Sequence, residues 1–471
     1  MKPNILFITA DQFRWDALGH LDRFSVETPH LDSLAHRGTS LRCYSPNPIC
    51  VPCRASIVTG QPSCETGVYY NDQGWPRDML TFPSEMAANG YFCSNVGKTH
   101  FMPKNRTAGF DRVFHEGDYQ EALSRAGHKK AKPVGEQAVK DWNYRTRPED
   151  IPYEWYEPVY ITTRATQEIQ RLAEERNCGE GGHEPFLLWT SLLQPHTPCI
   201  PPEPWFSRYS DVDFGPILKQ PGELARMPKP VREFQETLAF LDDEHVLQFR
   251  RQYMASVSIV DEQVGRLLRA LEDARIAENT IIIFTADHGD FLGDHHLQQK
   301  SFFYEASARV PFIAAGPGVQ SGLSLDTPCS LIDLFPTFLD CAGLCYPEAL
   351  DSEGNSIYDD ERNLPGKSLW PALCGRAGLP DREIYSETGI HGQAIMILQG
   401  KNKYIYYPQT AESEYFDLES DPEEMKNHYR SDGLAAFPES VAQCFRFRIQ
   451  EMEKWKNRKY FYKGRVRSNF S

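Results

Sequence analysis

Cys50-Val51-Pro52-Cys53-Arg54-Ala55-Ser56-Ile57-Val58-Thr59-Gly60 is the most informative run in this chain. Two thiols three residues apart, with Cys43 and Cys64 nearby, invite a zinc or a redox reading. A structural zinc site normally takes a second closely spaced ligand pair, and the sequence has none. A thioredoxin-like pair would open the helix of a short βαβ unit, which leaves Pro52 and Arg54 without a role.

Around this run the chain alternates apolar runs with helical patterns, as parallel strands with covering helices do. Strands are predicted at Asn4 to Ala10, Phe186 to Leu193, Thr280 to Ala286 and Val310 to Ala315. Between them, Met254, Val257, Val260, Val264, Leu267, Leu268 and Leu271 recur at helical spacing, which predicts a covering helix over Gln252 to Asp273. A second helix is predicted over Ser330 to Gly343, stopped by the glycine. The polar, aromatic segment from about Pro103 to Tyr160, locally basic at Lys129, Lys130, Lys132, Lys140, Arg145 and Arg147, reads as an insertion. From about residue 379 the pattern turns to short strands, at Ala394 to Leu398 and Tyr404 to Tyr407, and then a terminal helix. The expected organisation is a catalytic α/β domain over 1–378 and a small C-terminal domain of antiparallel sheet and helix over 379–471.

At 471 residues the chain can build a large core, and 40% hydrophobic with 24% charged residues is ordinary globular composition. The formal charge of -15 disfavours nucleic acid as a general partner and favours a small substrate. No stretch approaches the ~20 apolar residues of a membrane helix, and the opening strand lacks a signal-peptide cleavage site. Twelve scattered cysteines do not form the dense framework of a small secreted domain, so a cytoplasmic location is expected.

Two predicted strands end alike, one in Thr9-Ala10-Asp11-Gln12 and the other in Thr285-Ala286-Asp287-His288. Sites in open α/β sheets form beyond the carboxyl ends of strands, so these ends would converge. Carboxylates that close repel unless a cation lies between them, which makes Asp11, Gln12, Asp287 and His288 candidate ligands of one divalent metal. Oxygen-rich ligation places calcium first, with magnesium possible, and the histidine admits manganese. His295 and His296 are read as structural.

The run at Cys50 resembles the sulfatase signature, Cys-x-Pro-x-Arg followed by Thr-Gly. The resemblance continues through Pro3-Asn4-Ile5-Leu6-Phe7, Val96-Gly97-Lys98-Thr99-His100, Gln194-Pro195-His196, Asp287-His288-Gly289 with Lys300, Arg309-Val310-Pro311-Phe312, and Tyr415-Phe416-Asp417-Leu418 with Asp421-Pro422. It implies an alkaline phosphatase-like α/β/α sandwich with a mostly parallel sheet. It also implies sulfate monoester hydrolysis by formylglycine made from Cys50, which requires a formylglycine-generating or radical maturase enzyme as partner. Two departures stand out. Cys53 replaces the usual serine or alanine, and Gln12, His288 and Asn71 resemble the phosphonate monoester hydrolase branch, whose activity is the alternative.

By the same resemblance, Cys50 is both nucleophile precursor and metal ligand, and Arg54 anchors the hydrated aldehyde. One geminal hydroxyl attacks sulfur in line with the leaving alcohol, and deprotonation of the other, with His100 as base, expels sulfate. Lys98 and Lys300 hold sulfate oxygens, His196 protonates the departing oxygen or binds near it, and Asn71 contacts substrate. The substrate class is a small sulfate ester, either a sulfated sugar or an aryl sulfate.

Overall fold

Asn4-Ile5-Leu6-Phe7-Ile8-Thr9-Ala10-Asp11 is buried at every position in the computed structural model. A strand this apolar belongs in the middle of a sheet covered on both faces. The structure describes residues 2–128, 150–177, 184–344, 366–428, 433–456, 459–462 and 465–468. In chain order the strands of the main sheet are β1 (Asn4–Asp11), β2 (Thr39–Tyr44), β3 (Phe92–Gly97), β4 (Arg112–His115), β5 (Phe186–Pro195), β6 (Thr280–Ala286), β7 (Arg309–Val310), β8 (Phe312–Ala315) and β9 (Leu323–Ser330). Across the sheet the order is β4-β3-β5-β1-β6-β8-β2-β7, with β9 also paired to β2. The centre is parallel, β1 running with β5 on one side and β6 on the other. Beyond β6 the pairing changes, because β8 runs antiparallel to both β6 and β2.

Helices Glu157–Asn177 and Asp243–Asp273 form one covering layer, and Cys50–Thr59, Phe82–Ala88 and Leu334–Cys341 pack together in the other. Phe7 of β1 meets Trp189 of β5 at 5.0 Å and Phe338 at 5.1 Å between ring centroids, and Phe82 meets Phe338 at 4.7 Å. The Trp189 indole stays buried because its N–H donates to Thr9 at 2.8 Å.

The expected α/β/α sandwich is present, with differences of detail. Pro311 interrupts the run expected as one strand over Val310 to Ala315, since it cannot donate to a ladder, and separates β7 from β8. The covering helix begins at Asp243, where the Asp242 carboxylate caps the His245 N–H, nine residues before its expected start at Gln252. The expected insertion contributes β4 to the sheet edge, in parallel register with β3. Its lysines and arginines between 129 and 147 lie outside the described residues.

The second sheet is antiparallel, in the order β10 (Ile384–Thr388), β11 (Ala394–Gln399), β12 (Asn402–Tyr407), β13 (Glu412–Asp417). Its alternation is clean. Ala394, Met396, Leu398, Ile405 and Tyr407 face the segment 302–308 of the main body, whereas Ile395, Ile397, Tyr404 and Tyr406 pack against Val441 and Phe445 of the terminal helix Glu439–Lys456.

A buried polar seam joins the sheets. Lys403 of β12, wholly buried, donates to the Phe303 carbonyl at 2.9 Å and pairs with Glu305 and Glu424 at 2.7 Å each. The Tyr44 hydroxyl reaches Glu305 at 2.9 Å, and the Tyr304 hydroxyl reaches Glu414 at 2.8 Å. Lys403→Ala should destabilise by about 3–5 kcal/mol, because it strands buried carboxylates. Lys401→Ala, whose partner Asp326 is exposed, should cost under ~1 kcal/mol. Urea unfolding of the two variants checks the contrast.

Candidate active site

Because β1 and β6 are parallel neighbours with Ala10 opposite Ala286, the next residues, Asp11 and Asp287, leave the sheet side by side. Gln12 turns at once into left-handed backbone, φ 63°, and its N–H donates to Asp287 Oδ1 at 3.1 Å. Asp287 Oδ1 also accepts the His288 N–H at 3.1 Å. Both carboxylates are buried.

The helix Cys50–Thr59 delivers its first residue to these strand ends. Its N-cap, Ile49, has no side chain to satisfy the free N–H groups, and Asn71 supplies the need from a distance by accepting from Val51 N–H at 3.1 Å. Gly60 ends the helix at φ 66°, so close to Phe335 that a Cβ would lie 2.7 Å from the ring. This explains Thr59-Gly60 in the sequence.

One turn after Cys50, Arg54 binds both acids. Its Nε donates to Asp287 at 3.0 Å, Nη2 to Asp11 at 3.3 Å, and Nη1 to the Lys98 carbonyl and Ser191 Oγ at 2.7 Å each. Burial works against its charge, but the two carboxylates hold it protonated. Arg54 is therefore committed to the frame of the site. The Asp11 pKa falls well below the carboxylate range: burial and Cys50 push it up, and Lys98, His196 and Arg54 more than offset them.

Cys50 Sγ lies 3.2 Å from His288 Nε2, 3.3 Å from Lys300 Nζ and 3.7 Å from Asp11 Oδ1. Burial alone would raise its pKa, yet Lys300, Lys98 and His288 bring it well below the ordinary thiol value. Cys53 has the opposite character. It packs in the apolar core, where burial and Asp287 push its thiol up, and both cysteines are free.

The remaining sequence candidates reach the same point. Lys98 at the end of β3 is paired with Asp11. His100, φ 52°, is among the groups that lower the Cys50 thiol pKa, while its Nδ1 is buried without a partner among the described residues. His196 Nδ1 donates to the Thr197 carbonyl at 2.6 Å, which leaves Nε2 to accept from Lys300 Nζ at 2.8 Å. Burial and then Lys300 lower the His196 pKa, so the imidazole is neutral. Lys300 also donates to Gln12 Oε1 at 2.7 Å, and its neighbours Gln299 and Ser301 take φ of 65° and 96°. Three non-glycine strains at Gln12, His100 and Ser301 around one pocket mark a functional site.

Asn71 and Gln12 hold positions that their sequence reading did not foresee. The Asn71 amide oxygen is spent on the Cys50 helix, and Gln12 spans Lys300 and Asp290. His295 is removed from the cluster, hydrogen-bonded to Glu223 at 2.6 Å and stacked on Tyr304. Ser191, Asp290 and Tyr253, which donates to the Gln12 carbonyl at 2.6 Å, were not singled out in the sequence. Only Asp290, three residues after Asp287, carried a local signal.

The donor set fits a divalent cation. Ligand atoms of Asp11, Cys50, Asp287 and His288 lie within 4.8 Å of one another, all buried, and two of the four are carboxylates. Such a group at the carboxyl ends of β1 and β6 is where α/β sheets place their ligands.

Comparison with known proteins agrees. The model of the Sulfatase family matches residues 3–344. This chain belongs to the sulfatase family. An arylsulfatase of Clostridium perfringens is 30% identical over 481 residues, covering 96% of this chain and 95% of that protein. A choline-sulfatase of Rhizobium meliloti is 30% identical, covering 90% and 82%. In fold this sulfatase is similar to a phosphonate monoester hydrolase of Silicibacter pomeroyi, with TM-score 0.76, 23% identity and 100% of each chain covered. A second similar structure, with TM-score 0.71, 23% identity and 97% and 98% coverage, was solved with its substrate D-glucosamine-2-N,6-O-disulfate. Family membership makes the chain a hydrolase of sulfate esters, and the family implies a divalent metal and a formylglycine derived from cysteine. Among the described residues, no helix is long and apolar enough to cross a membrane.

A divalent cation in excess should stabilise the purified protein and raise its melting temperature, the stabilisation being about 2.7 kcal/mol at a hundred times its dissociation constant. Asp287→Ala should abolish the rise, and thermal melts with calcium or a chelator read it directly.

Proposed function

We propose that this sulfatase cleaves small sulfate monoesters at the Cys50 cluster, with Asp11, Asp287, His288 and the converted Cys50 side chain holding one divalent ion. The observation that carries the reading is the convergence of Lys98, Lys300 and His196 on Cys50, directly above two buried carboxylates. Calcium suits the carboxylate oxygens best; manganese or magnesium would fit the same count of donors. Bound there, the ion would supply positive charge and acidify a hydroxyl, and formylglycine would supply two such hydroxyls in place of the sulfur.

The chain's own residues supply the rest. Arg54 fixes the two acids relative to each other, so that the cluster does not spread when charge moves. Lys98 and Lys300 offset the negative charge on sulfate oxygens and stabilise charge that develops during transfer. His196 is neutral while Lys300 donates to its Nε2. An ester anion seated between them supplies the charge that favours the protonated ring, which can then give its proton to the leaving oxygen. His100, beside Cys50, accepts the proton released from the converted side chain as sulfate departs. Gln12, held by Asp290, positions Lys300, and it adds a metal ligand only where its oxygen leaves that lysine.

The relatives named arylsulfatase and choline-sulfatase, and the neighbour holding a disulfated glucosamine, support a small sulfate ester, an aryl or sugar sulfate. Phosphonate monoester hydrolysis is the second reading, favoured by Gln12, which accepts from Lys300, and by His288 at Cys50 Sγ.

Mass spectrometry of the Cys50 peptide should show a loss of about 18 Da on maturation, as thiol becomes aldehyde, and Cys50→Ala should be inactive. Fully active protein with an unmodified thiol refutes this. Lys98→Ala and Lys300→Ala should each lower kcat/KM for an aryl sulfate by about 10²–10³. Wild-type kcat/KM should be higher for an aryl sulfate than for the matching aryl phosphonate, and the reverse order selects the second reading.

A further inference from the structure

In the unconverted chain Cys50 is a thiol, and the donors around it are already arranged. Arg54 and Lys98 engage only the Oδ2 oxygens of Asp11 and Asp287. This leaves the Oδ1 oxygens for the side of Cys50 and His288. Asp11 Oδ1 lies 3.7 Å from Cys50 Sγ and 3.8 Å from His288 Nε2. Asp287 Oδ1 lies 3.7 Å from the same nitrogen, which is itself 3.2 Å from the sulfur. Neighbouring groups orient these atoms as ligands. His288 Nδ1 donates to the Gly289 carbonyl at 3.1 Å, which leaves Nε2 to face the cluster. The Gln12 and His288 N–H groups hold Asp287 Oδ1 at 3.1 Å each, and Lys300 Nζ donates to the sulfur at 3.3 Å.

Donor spacing and donor type both point to zinc. Four ligands set tetrahedrally around zinc, sulfur at ~2.3 Å and nitrogen or oxygen at ~2.0–2.2 Å, stand about 3.3–3.6 Å from one another. The separations in the cluster, 3.2 to 3.8 Å, bracket that range. Calcium instead takes about 6–8 oxygens at roughly 2.3–2.6 Å. These four residues offer it only the two carboxylate oxygens that Arg54 and Lys98 leave over. Thiolate and imidazole suit zinc, whereas calcium selects carboxylate, carbonyl and water. Tertiary neighbours thus supply the ligands that the cysteine spacing lacked, and Cys53, packed in the core, takes no part.

We propose that the unconverted chain is a zinc-binding form, with the Cys50 thiolate, His288 Nε2 and one oxygen each of Asp11 and Asp287 as ligands. Conversion of Cys50 then moves the preference of the same site toward calcium. Zinc binding releases the thiol proton to solvent and involves no electron transfer. Conversion removes the sulfur and puts oxygen in its place, so the soft donor is lost while the carboxylates stay. The ion held by the chain thereby follows its state of maturation. The assignment rests on the reading of the cluster as the metal site, and not on the ester that it cleaves.

The test compares unconverted and converted wild type, told apart by mass spectrometry of the Cys50 peptide, and adds Cys50→Ser. Competition with a chromophoric chelator should find one zinc bound per unconverted chain. The ratio of calcium to zinc dissociation constants should be at least ~100-fold larger there than in the converted protein. Cobalt in place of zinc should show a sulfur-to-cobalt charge-transfer band, with the strong visible bands of a four-coordinate ion, in the unconverted chain alone. Cys50→Ser should lack that band and bind zinc ~100-fold more weakly, with calcium affinity changed less than ~10-fold. The wild-type comparison needs no substitution and decides the matter even if Cys50→Ser fails to fold. Absence of the band, equal zinc affinity in unconverted wild type and Cys50→Ser, or one ratio for both wild-type forms would overturn the proposal. A converted enzyme that cleaves sulfate esters, beside an unconverted chain without the band, removes the zinc assignment alone. A converted protein that cleaves no sulfate ester, with the band present before conversion, removes the catalytic reading and leaves the zinc site standing.

Discussion

Asp11 and Asp287 end neighbouring parallel strands and are both excluded from water, so two negative charges face each other where solvent cannot screen them. Such a pair does not persist without compensation. Arg54 supplies it from within the protein by donating to both carboxylates, and its remaining donors are spent on the Lys98 carbonyl and Ser191. This one guanidinium ties together the helix of Cys50, the ends of β1 and β6, and the ends of β3 and β5. The place of Cys50 follows from it, because Cys50 and Arg54 lie one helical turn apart on the same face.

Compensation by Arg54 leaves room for more cations. Lys98 shares Asp11 with it, and Lys300 stands over Cys50 with Gln12 and His196 as partners. The result is a pocket in which a thiol is acidified, a histidine is kept neutral, and an anion meets positive charge already in position. The left-handed residues Gln12, His100 and Ser301 are part of that arrangement, since each turns the chain abruptly beside a group that faces Cys50. The surrounding hydrogen bonds sustain the strain, notably those from Tyr253 to the Gln12 carbonyl and from Gln12 to Asp290.

The small sheet is not an appendage to this pocket. Lys403, Glu424 and Glu414 grip the segment Phe303-Tyr304-Glu305, a few residues past Lys300, in a seam without solvent. β12 is buried on both faces by alternation, its odd residues against the main body and its even residues against the terminal helix. The same sheet thereby anchors the stretch that follows Lys300 in the sequence.

By itself the sequence determined the centre of the fold and marked out Cys50 as the candidate reacting group. The apolar runs that became β1, β5 and β6 are covered on both faces, and such runs stand out without context. The acid ends of two strands were legible from their local pattern, whereas Cys50-x-Pro-x-Arg54, Lys98, His100, His196 and Lys300 were legible through their resemblance to sulfatase motifs. Tertiary structure alone decided what each does to the others. Nothing in the sequence shows that Arg54 spans Asp11 and Asp287, that Asn71 caps the Cys50 helix, that Gln12 holds Lys300, or that Cys53 lies in the core with a raised pKa. The short edge strands β4, β9 and β10 were equally hidden, since their stability comes from partners remote in sequence rather than from their own pattern. Chemical identity resides in the residue; pKa, orientation and pairing reside in neighbours hundreds of positions away.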